Sequence, residues 1–557
     1  MSWAAWGAGV AAVWAAPKVW QRAQLSRAKH RSLAGHSGLA KRLTRWMPSV
    51  SYDETMFYAA DGAPADVVAK RRSGFARIAA SLAQRSPKTL ALSDAVKDAM
   101  ADMALTSRYR VPFQFSAVLR QNLRLASFWA RSEGVKLVDA DGQAFFDLTG
   151  SYGVNVFGLD FYKDTMAQGQ DRALALGPVL GGYAPELTEV VPALLAISGM
   201  DSVSFHMSGT EAVMQAVRLA RYHTGRKKIV RFTGAYHGWW DDVQPGPGNP
   251  MPPGHVYTLA DMSERALQVI ASRKDIACVL VNPLQALHPN QNAPSDSTLV
   301  DGSRRAGFDR AAYTQWLQQL RAVCTAAGVA LIMDEVFMGF RLGKQGAQGY
   351  FHVQADMVCY GKTLGGGWPV GVVCGQADWM RRYREDKPAD IAFARGTFNA
   401  HPGVIASMAA FLARLDTPEV AAMYAQADAR WNQALAQWNR RFEQEELPLR
   451  VQGLQSVWTV TYTQPSRYHW MLQFYLREAG LALSWVGTGR FIFSLNYSDD
   501  ELHEVLERVV RAAKAFAADG WWWAPPGVSG QAMRRQVLRE LWQAKKAQWQ
   551  ARWRIAS

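Results

Sequence analysis

Between residues 185 and 375 the chain keeps returning to one arrangement: a short β-rich apolar run, then a stretch with helical periodicity. The runs are Val203–Met207, Ile229–Phe232, Cys278–Val281, Val329–Met333 and Met357–Tyr360. Such alternation leads to a mostly parallel sheet covered by helices. Each run also ends in chemistry. The first enters Ser208-Gly209-Thr210-Glu211-Ala212 and the second Gly234-Ala235-Tyr236-His237-Gly238. The third ends at Asn282-Pro283, the fourth at Asp334-Glu335, and the fifth at Gly361-Lys362-Thr363. In open α/β sheets the ligand crevice lies at the carboxyl ends of the strands. An acid, a lysine, an aromatic and a Ser-Gly-Thr turn are therefore expected to share one crevice.

Several other chemistries are excluded. Gly361-Lys362-Thr363 looks like the end of a P-loop, but the glycine that motif needs five residues earlier is Asp356. No G-x-G-x-x-G opens a helix after a strand. His237, His255, His288 and His401 have no metal-ligand spacing, so no metal site is expected. The four cysteines have no C-x-x-C spacing, which argues against a zinc module or disulfide scaffold and for a reducing compartment. At 557 residues and 49% hydrophobic, the chain is long and apolar enough for two or three packed domains.

The residues left standing match the needs of pyridoxal 5′-phosphate (PLP). A lysine amine can bond to a carbonyl cofactor. An acid can keep a pyridine nitrogen protonated. A Ser-Gly-Thr turn opening a helix offers N–H groups to a phosphate, and an aromatic can stack on a planar ring. Each also has a structural alternative: a surface lysine, a helix-capping aspartate, a core tyrosine.

Here the sequence resembles the class III, fold-type I PLP aminotransferases, most closely the glutamate-1-semialdehyde aminomutase-like branch, over about residues 105–515. The resemblance is carried by Ser208–Ala212, Tyr236-His237-Gly238, Asp334-Glu335-Val336, Gly361–Gly371 and Gly396-Thr397-Phe398-Asn399. It implies an α/β fold with a large domain built on a seven-stranded, mostly parallel sheet and a smaller α+β domain. Lys362 would hold PLP as a Schiff base and shuttle the proton. Asp334 would pair with the ring nitrogen, with His237 also in the cofactor shell. Val336 and Tyr236 would flank the ring, and Ser208, Gly209 and Thr210 would bind the phosphate. Thr397 would reach the phosphate of a partner subunit, which implies a homodimer. Gly150-Ser151-Tyr152-Gly153 looks like the aminomutase's Gly-Ser-Trp-Gly and places Ser151 and Tyr152 on the substrate side. Asn282-Pro283-Leu284-Gln285 stands where many class III members have Glu-Pro-x-Gln. With that Glu absent, Arg490, if it reaches the site, would be free for a substrate anion; a strand-edge arginine is the alternative. The aminomutase's N-terminal substrate segment has no counterpart in Ser107–Pro112, which argues against 5-aminolevulinate as product. The expected reaction is amino transfer from a small-molecule donor to an aldehyde or ketone acceptor, with an intramolecular aminomutase and an idle PLP-fold module as alternatives.

The remaining organisation is read from charge and tryptophan. Of the net +15, fourteen charges fall within residues 1–50 and 520–557, as do half of the 22 tryptophans. The expected division is a basic, Trp-rich helical extension (1–105), the first part of the small domain (106–165), the large PLP domain (166–415), the rest of the small domain (416–519) and a basic amphipathic tail (520–557). Trp3, Trp6, Val10, Val13, Trp14 and Trp20 have roughly helical spacing, in an apolar run too short to span a bilayer. No basic residue precedes that run and no clear A-x-A site follows it, against a signal peptide. The ends fit either interfacial helices at an anionic membrane or acidic carrier protein, or helices packed on the body and on each other. No nucleic-acid motif is present. The expected location is cytoplasmic, with the inner membrane face as a peripheral site. In 51–105, Val67, Val68, Phe75, Ile78 and Leu82 mark one helix face, and Ser93 is expected to cap a second helix ending near Thr106. A hairpin is expected over Leu137–Leu148, turning at Asp141-Gly142.

Overall fold

The computed structural model describes residues 18–288, 306–484 and 490–556, with side chains to 551. The run from Trp3 to Trp14 lies outside the described residues. The first described residues, 18–28, are helical, followed by α1 (Ser37–Trp46) and α2 (Ala65–Arg85). Helix α2 buries Val67, Phe75, Ile78 and Leu82 of the face read from its spacing, while Val68 is only partly buried. The helix expected to begin at Ser93 is instead two helices, Pro87–Val96 and Ala101–Tyr109. Pro87 starts the first at its N1 position, where a fixed φ and a missing N–H cost nothing, so Ser93 falls inside it and its carbonyl accepts from Lys97 N–H at 2.8 Å.

A small sheet follows: β1 (Trp129–Glu133), β2 (Lys136–Asp139) and β3 (Ala144–Asp147) are antiparallel, and Leu481–Ala482 adds in parallel to β3. The β2–β3 turn falls at the expected Asp141-Gly142. Gly142 has φ +81° and donates to the Asp139 carbonyl at 3.0 Å. The central sheet comprises β4 (Ser202–His206), β5 (Lys228–Phe232), β6 (Val256–Leu259), β7 (Ile276–Val281), β8 (Ala330–Asp334), β9 (Met357–Gly361) and β10 (Gly371–Gly375), in the order β4-β10-β9-β8-β7-β5-β6. Six strands run the same way, and β10 alone is antiparallel to its neighbours. Strands β7 to β10 are buried at every position. Helices cover both faces, so these strands are continuously apolar instead of alternating. Helix α3 (Gly209–Thr224) follows β4 and ends at Gly225 in the left-handed conformation, φ +65°.

The smaller unit is completed by an antiparallel sheet of Leu449–Leu454, Val457–Tyr462 and Arg490–Ile492 and by α4 (Leu472–Glu478). The N-terminal segment is built into this unit. Phe57 packs against Phe75 (5.3 Å between centroids) and Trp470 (6.0 Å), and Phe115 against Trp470 (5.0 Å). Arg71, fully buried, pairs with Asp61 and lies 4.3 Å from the Tyr468 ring centroid.

The last helix, α5 (Gly530–Ala556), is fastened at Glu540, which accepts from Arg467 Nη1 at 2.6 Å and from Tyr52 Oη at 2.5 Å. Trp542 stacks on Trp46 of α1 at 5.7 Å, and Trp549 meets Trp46 edge-on at 6.0 Å. The described parts of the two basic ends thus pack on the body and on each other. Trp46, Trp542 and Trp549 nevertheless stay 39, 53 and 42% exposed. Among the described residues no helix is long and apolar enough to cross a membrane.

Candidate active site

The carboxyl ends of β4, β5, β7, β8 and β9 open onto one cleft of about 420 Å³. Lys362 follows β9 directly, with φ +48°, a left-handed conformation that non-glycine residues adopt only when the surroundings enforce it. Its Nζ donates to the Tyr152 carbonyl at 2.6 Å and lies 4.5 Å from the Phe337 ring centroid. Burial lowers its pKa from 10.5 to about 8; Asp334 opposes that shift, while Arg341 and Arg490 add to it. The amine is therefore neutral over much of the mildly alkaline range.

Asp334 ends β8, almost fully buried. Its Oδ2 lies 2.8 Å from His237 Nδ1, and its Oδ1 accepts the Val336 N–H at 3.2 Å. A turn follows Asp334, so it caps no helix. Each carboxylate oxygen retains a further lone pair. Behind it Glu335 accepts the Ala347 and Gln348 N–H groups at 2.7 and 3.1 Å. Burial raises the Glu335 pKa to about 7, with the charge of Asp334 adding to the shift.

Ser208 caps α3 by accepting the Glu211 N–H at 3.2 Å, and Glu211 returns an oxygen to the Met207 N–H at 2.9 Å. The first-turn N–H groups that follow, at Gly209 and Thr210, have no intrahelical acceptor and line the cleft. A Cβ on Gly209 would stand 2.5 Å from Val336 Cγ1, so only glycine lets the helix start approach the β8 loop so closely.

Tyr236 presents a half-exposed ring to the cleft, and its carbonyl is held by Asn282 Nδ2 at 2.7 Å. Asn282, Val336 and His237 also line the cleft. Gln285 does not: its Nε2 donates to the Thr233 and His288 carbonyls at 2.7 and 2.9 Å, because the 3₁₀ turn Pro283–Leu287 directs it into backbone support. Thr397 lies in an exposed turn and is not part of the lining within one chain. Ser151 and the Tyr152 side chain line a neighbouring cavity, while the Tyr152 carbonyl meets Lys362. Arg490 is buried at the start of Arg490–Ile492, near enough for its charge to act on Lys362. Phe337 and Val154 line the cleft without having been singled out in the sequence. Phe337 directly follows Asp334-Glu335-Val336, the one signal that could have found it.

The cleft suits PLP. Its lining brings together the Val336 and Tyr236 side chains, the N-terminal residues of α3, a buried carboxylate and an amine of lowered pKa.

The model of the family "Aminotransferase class-III" matches residues 117–513. The chain is 30% identical over 422 residues to the glutamate-1-semialdehyde 2,1-aminomutase of Syntrophus aciditrophicus, covering 70% of this chain and 91% of that relative. A solved transaminase with PLP bound superposes with a TM-score of 0.61 at 27% identity, covering 78% of this chain and 98% of the other. The fold also matches the Pseudomonas aeruginosa glutamate-1-semialdehyde aminomutase, with a TM-score of 0.63 at 19% identity over 80% of this chain and 99% of that one. With a catalytic-looking cleft at the sheet edge and a family match across most of its length, the chain belongs to the class III aminotransferases, pyridoxal-phosphate-dependent enzymes of fold type I.

Proposed function

We propose that the protein is an aminotransferase that moves an amino group from an amino donor to an aldehyde or ketone acceptor, in the biosynthesis of a specialised amine. The observation that carries this reading is the meeting of the Lys362 amine, the His237–Asp334 pair and the α3 N-terminus in one cleft. PLP, when bound, supplies a ring that stabilises negative charge at the substrate carbon. Lys362 holds the cofactor, then takes a proton from one carbon and returns it to the other; its lowered pKa suits both tasks. The Tyr152 carbonyl orients Nζ. His237 and the Val336 N–H fix the Asp334 carboxylate, which keeps the ring nitrogen protonated. Val336 and Tyr236 flank the ring, and Ser208, Gly209 and Thr210 hold the phosphate through N–H and hydroxyl groups. Thr397 of the partner subunit completes the phosphate site in a homodimer. In this assignment the large unit, 166–415, supplies the cofactor wall. The small unit, 106–165 with 416–519, faces it with Ser151, Tyr152 and Arg490, and Asn282 bounds the substrate space from the β7 side.

Supplying PLP, an amino-acid donor and a panel of aldehydes tests the reading: keto acid should be released in step with amine formed. A wild-type protein that stays colourless and cannot be loaded with PLP would remove it. The second reading, an intramolecular aminomutase, is favoured by the aminomutase relative and by Gly150-Ser151-Tyr152-Gly153. A mutase started from pyridoxamine phosphate consumes no external donor.

For the ends we propose contact with an anionic partner, a membrane face or an acidic carrier protein, which would present an amphiphilic or carrier-bound acceptor. Three partly exposed tryptophans beside Lys545 and a strongly basic sequence support this. Co-sedimentation with anionic vesicles, weakened by Lys545→Glu with Lys546→Glu, checks the membrane arm.

A further inference from the structure

Arg341 is fully buried, on the loop that leaves β8 and carries Val336 and Phe337 into the cleft. The loop is tightly built. The Gly339 and Arg341 N–H groups donate back to the Glu335 and Met338 carbonyls at 2.8 and 3.1 Å. Phe340 takes φ +62°, a conformation that a bulky residue keeps only where its surroundings hold it, and the Tyr424 hydroxyl donates to its carbonyl at 2.7 Å. The Arg341 side chain then reaches three other segments. Nη1 donates to the Ser456 hydroxyl and to the Phe493 carbonyl, each at 2.7 Å, and Nη2 donates to the Asn155 carbonyl at 3.0 Å. All three acceptors are neutral. A guanidinium presents its N–H groups in a rigid planar fork, so these segments are held in one arrangement.

The Asn155 contact leads to the lysine. Asn155 closes the Gly150–Gly153 turn, its N–H donating to the Gly150 carbonyl at 3.1 Å. All four residues of that turn have positive φ (50, 45, 56 and 97°), so the turn depends on outside support. Its Tyr152 carbonyl accepts from Lys362 Nζ at 2.6 Å. A Cβ on Gly153 would stand 2.7 Å from Phe337 Cδ2, so the turn also lies against Arg341's own loop. A parallel link reaches the residue after the lysine: the Tyr162 hydroxyl accepts the Val156 N–H at 3.0 Å and bonds to the Thr363 hydroxyl. The Phe493 contact holds the segment just beyond Arg490–Ile492. Asp147, Tyr162 and Tyr424 face Arg341; burial lowers its pKa to about 10, so it stays charged at neutral pH. Asp334, Arg341 and Arg490 act on Lys362, and Tyr236 and His237 line the same cleft.

We propose that Arg341 is the positioning residue of the Lys362 amine: by gripping Asn155 it fixes the turn whose Tyr152 carbonyl receives Nζ, and by gripping Ser456 and Phe493 it ties the Val336–Phe337 loop to the small unit. Arg341 acts through these groups and touches neither cofactor nor substrate. For amino transfer the inference rests on the aminotransferase reading; for the attack of Lys362 on PLP it does not.

The test follows the rate of cofactor reloading of the apoprotein against pH at saturating PLP, by the visible band, and measures kcat and KM for aldehyde amination beside it. In Arg341→Gln the plateau rate and kcat should each fall by about tenfold or more with KM changed far less, because a displaced nucleophile reacts slowly. The midpoint should rise above about 8, since one of the arginine charges that lower it is gone. Arg341→Lys keeps the charge and should return the midpoint to about 8, yet restore only part of the rate, because a compact ammonium cannot span the same acceptors. Ser456→Ala removes one acceptor and no charge; it should give a smaller fall in rate with the midpoint unmoved, and it carries the test if the Arg341 variants do not fold. Wild-type plateau and kcat in the loaded Arg341 variants, or in Ser456→Ala where those do not fold, overturn the proposal. So does a midpoint that moves while the plateau does not, since charge alone would then account for Arg341. If no aldehyde is aminated while plateau and midpoint move as stated, the positioning role stands and the aminotransferase reading falls.

Discussion

The carboxyl edge of the central sheet and the paired terminal helices both gather charged and aromatic residues, by opposite routes. At the sheet edge each functional group follows its own strand within a residue or a few, so a strand's end is also the group's address: Asp334 closes β8 and Lys362 follows β9. At the ends, Tyr52, Arg467 and Glu540 come from three separate segments, Tyr52 lying 488 residues and Arg467 73 residues before Glu540, and meet only through packing. In the first region secondary structure positions chemistry. In the second, chemistry positions secondary structure, since one carboxylate in an otherwise basic tail fastens α5.

The sharpest way to break this contrast is Lys362→Ala. It should reduce turnover by about a thousandfold or more while sparing the fold, since the lost group acts as nucleophile and proton carrier; steady-state rates and thermal melting check both halves. Next is Glu540→Ala, which leaves Arg467 buried without its carboxylate and should cost about 3 kcal/mol, somewhat less if water reaches the part-exposed Glu540. Denaturant unfolding measures that cost. The cofactor band of the folded protein should persist, and its loss would show that the ends support the site directly. The rate of PLP reloading of the apoprotein should rise with pH and flatten above about 8, because the protonated Lys362 amine cannot attack; an ordinary lysine would keep rising toward 10.5. Asp334 holds that pKa up, so Asp334→Asn should move the midpoint lower. The smallest effect is expected for Trp542→Ala, about 1 kcal/mol from loss of stacking on the half-exposed Trp46.

Legibility in the sequence followed the same division. The five apolar runs became β4, β5, β7, β8 and β9, because short β-rich runs mark strands; in β7, β8 and β9 every position is buried, while β4 and β5 carry Ser204, His206 and Arg231 at partly polar positions. Two sheet members carried no such mark. Gly371–Gly375 is bounded by glycines, and a Cβ on Gly371 would fall 1.9 Å from the Ser208 carbonyl. Val256–Leu259 is only four residues long. Gln285 has the right place in its motif, yet the turn behind β7 spends its amide on two carbonyls. Arg341 was silent in the sequence, since an arginine in a loop looks the same whether solvated or buried against Asn155, Ser456 and Phe493. The N-terminal segment, set apart by charge, proved continuous with the core through Phe57 and Phe75, because net charge describes a helix's outer face and says nothing of its inner one.

By itself, then, the sequence determined the sheet's main strands, the residues at their carboxyl ends and the cofactor chemistry they serve, because those signals are local: hydrophobic period, turn residues and a reactive group within a few positions of each other. Only the tertiary structure decided that Tyr152 holds the lysine, that Arg341 grips the residue closing the same turn, and that Glu540 ties the basic ends to the body. Each depends on segments that meet in space without being near in sequence, and no periodicity along the chain encodes that meeting.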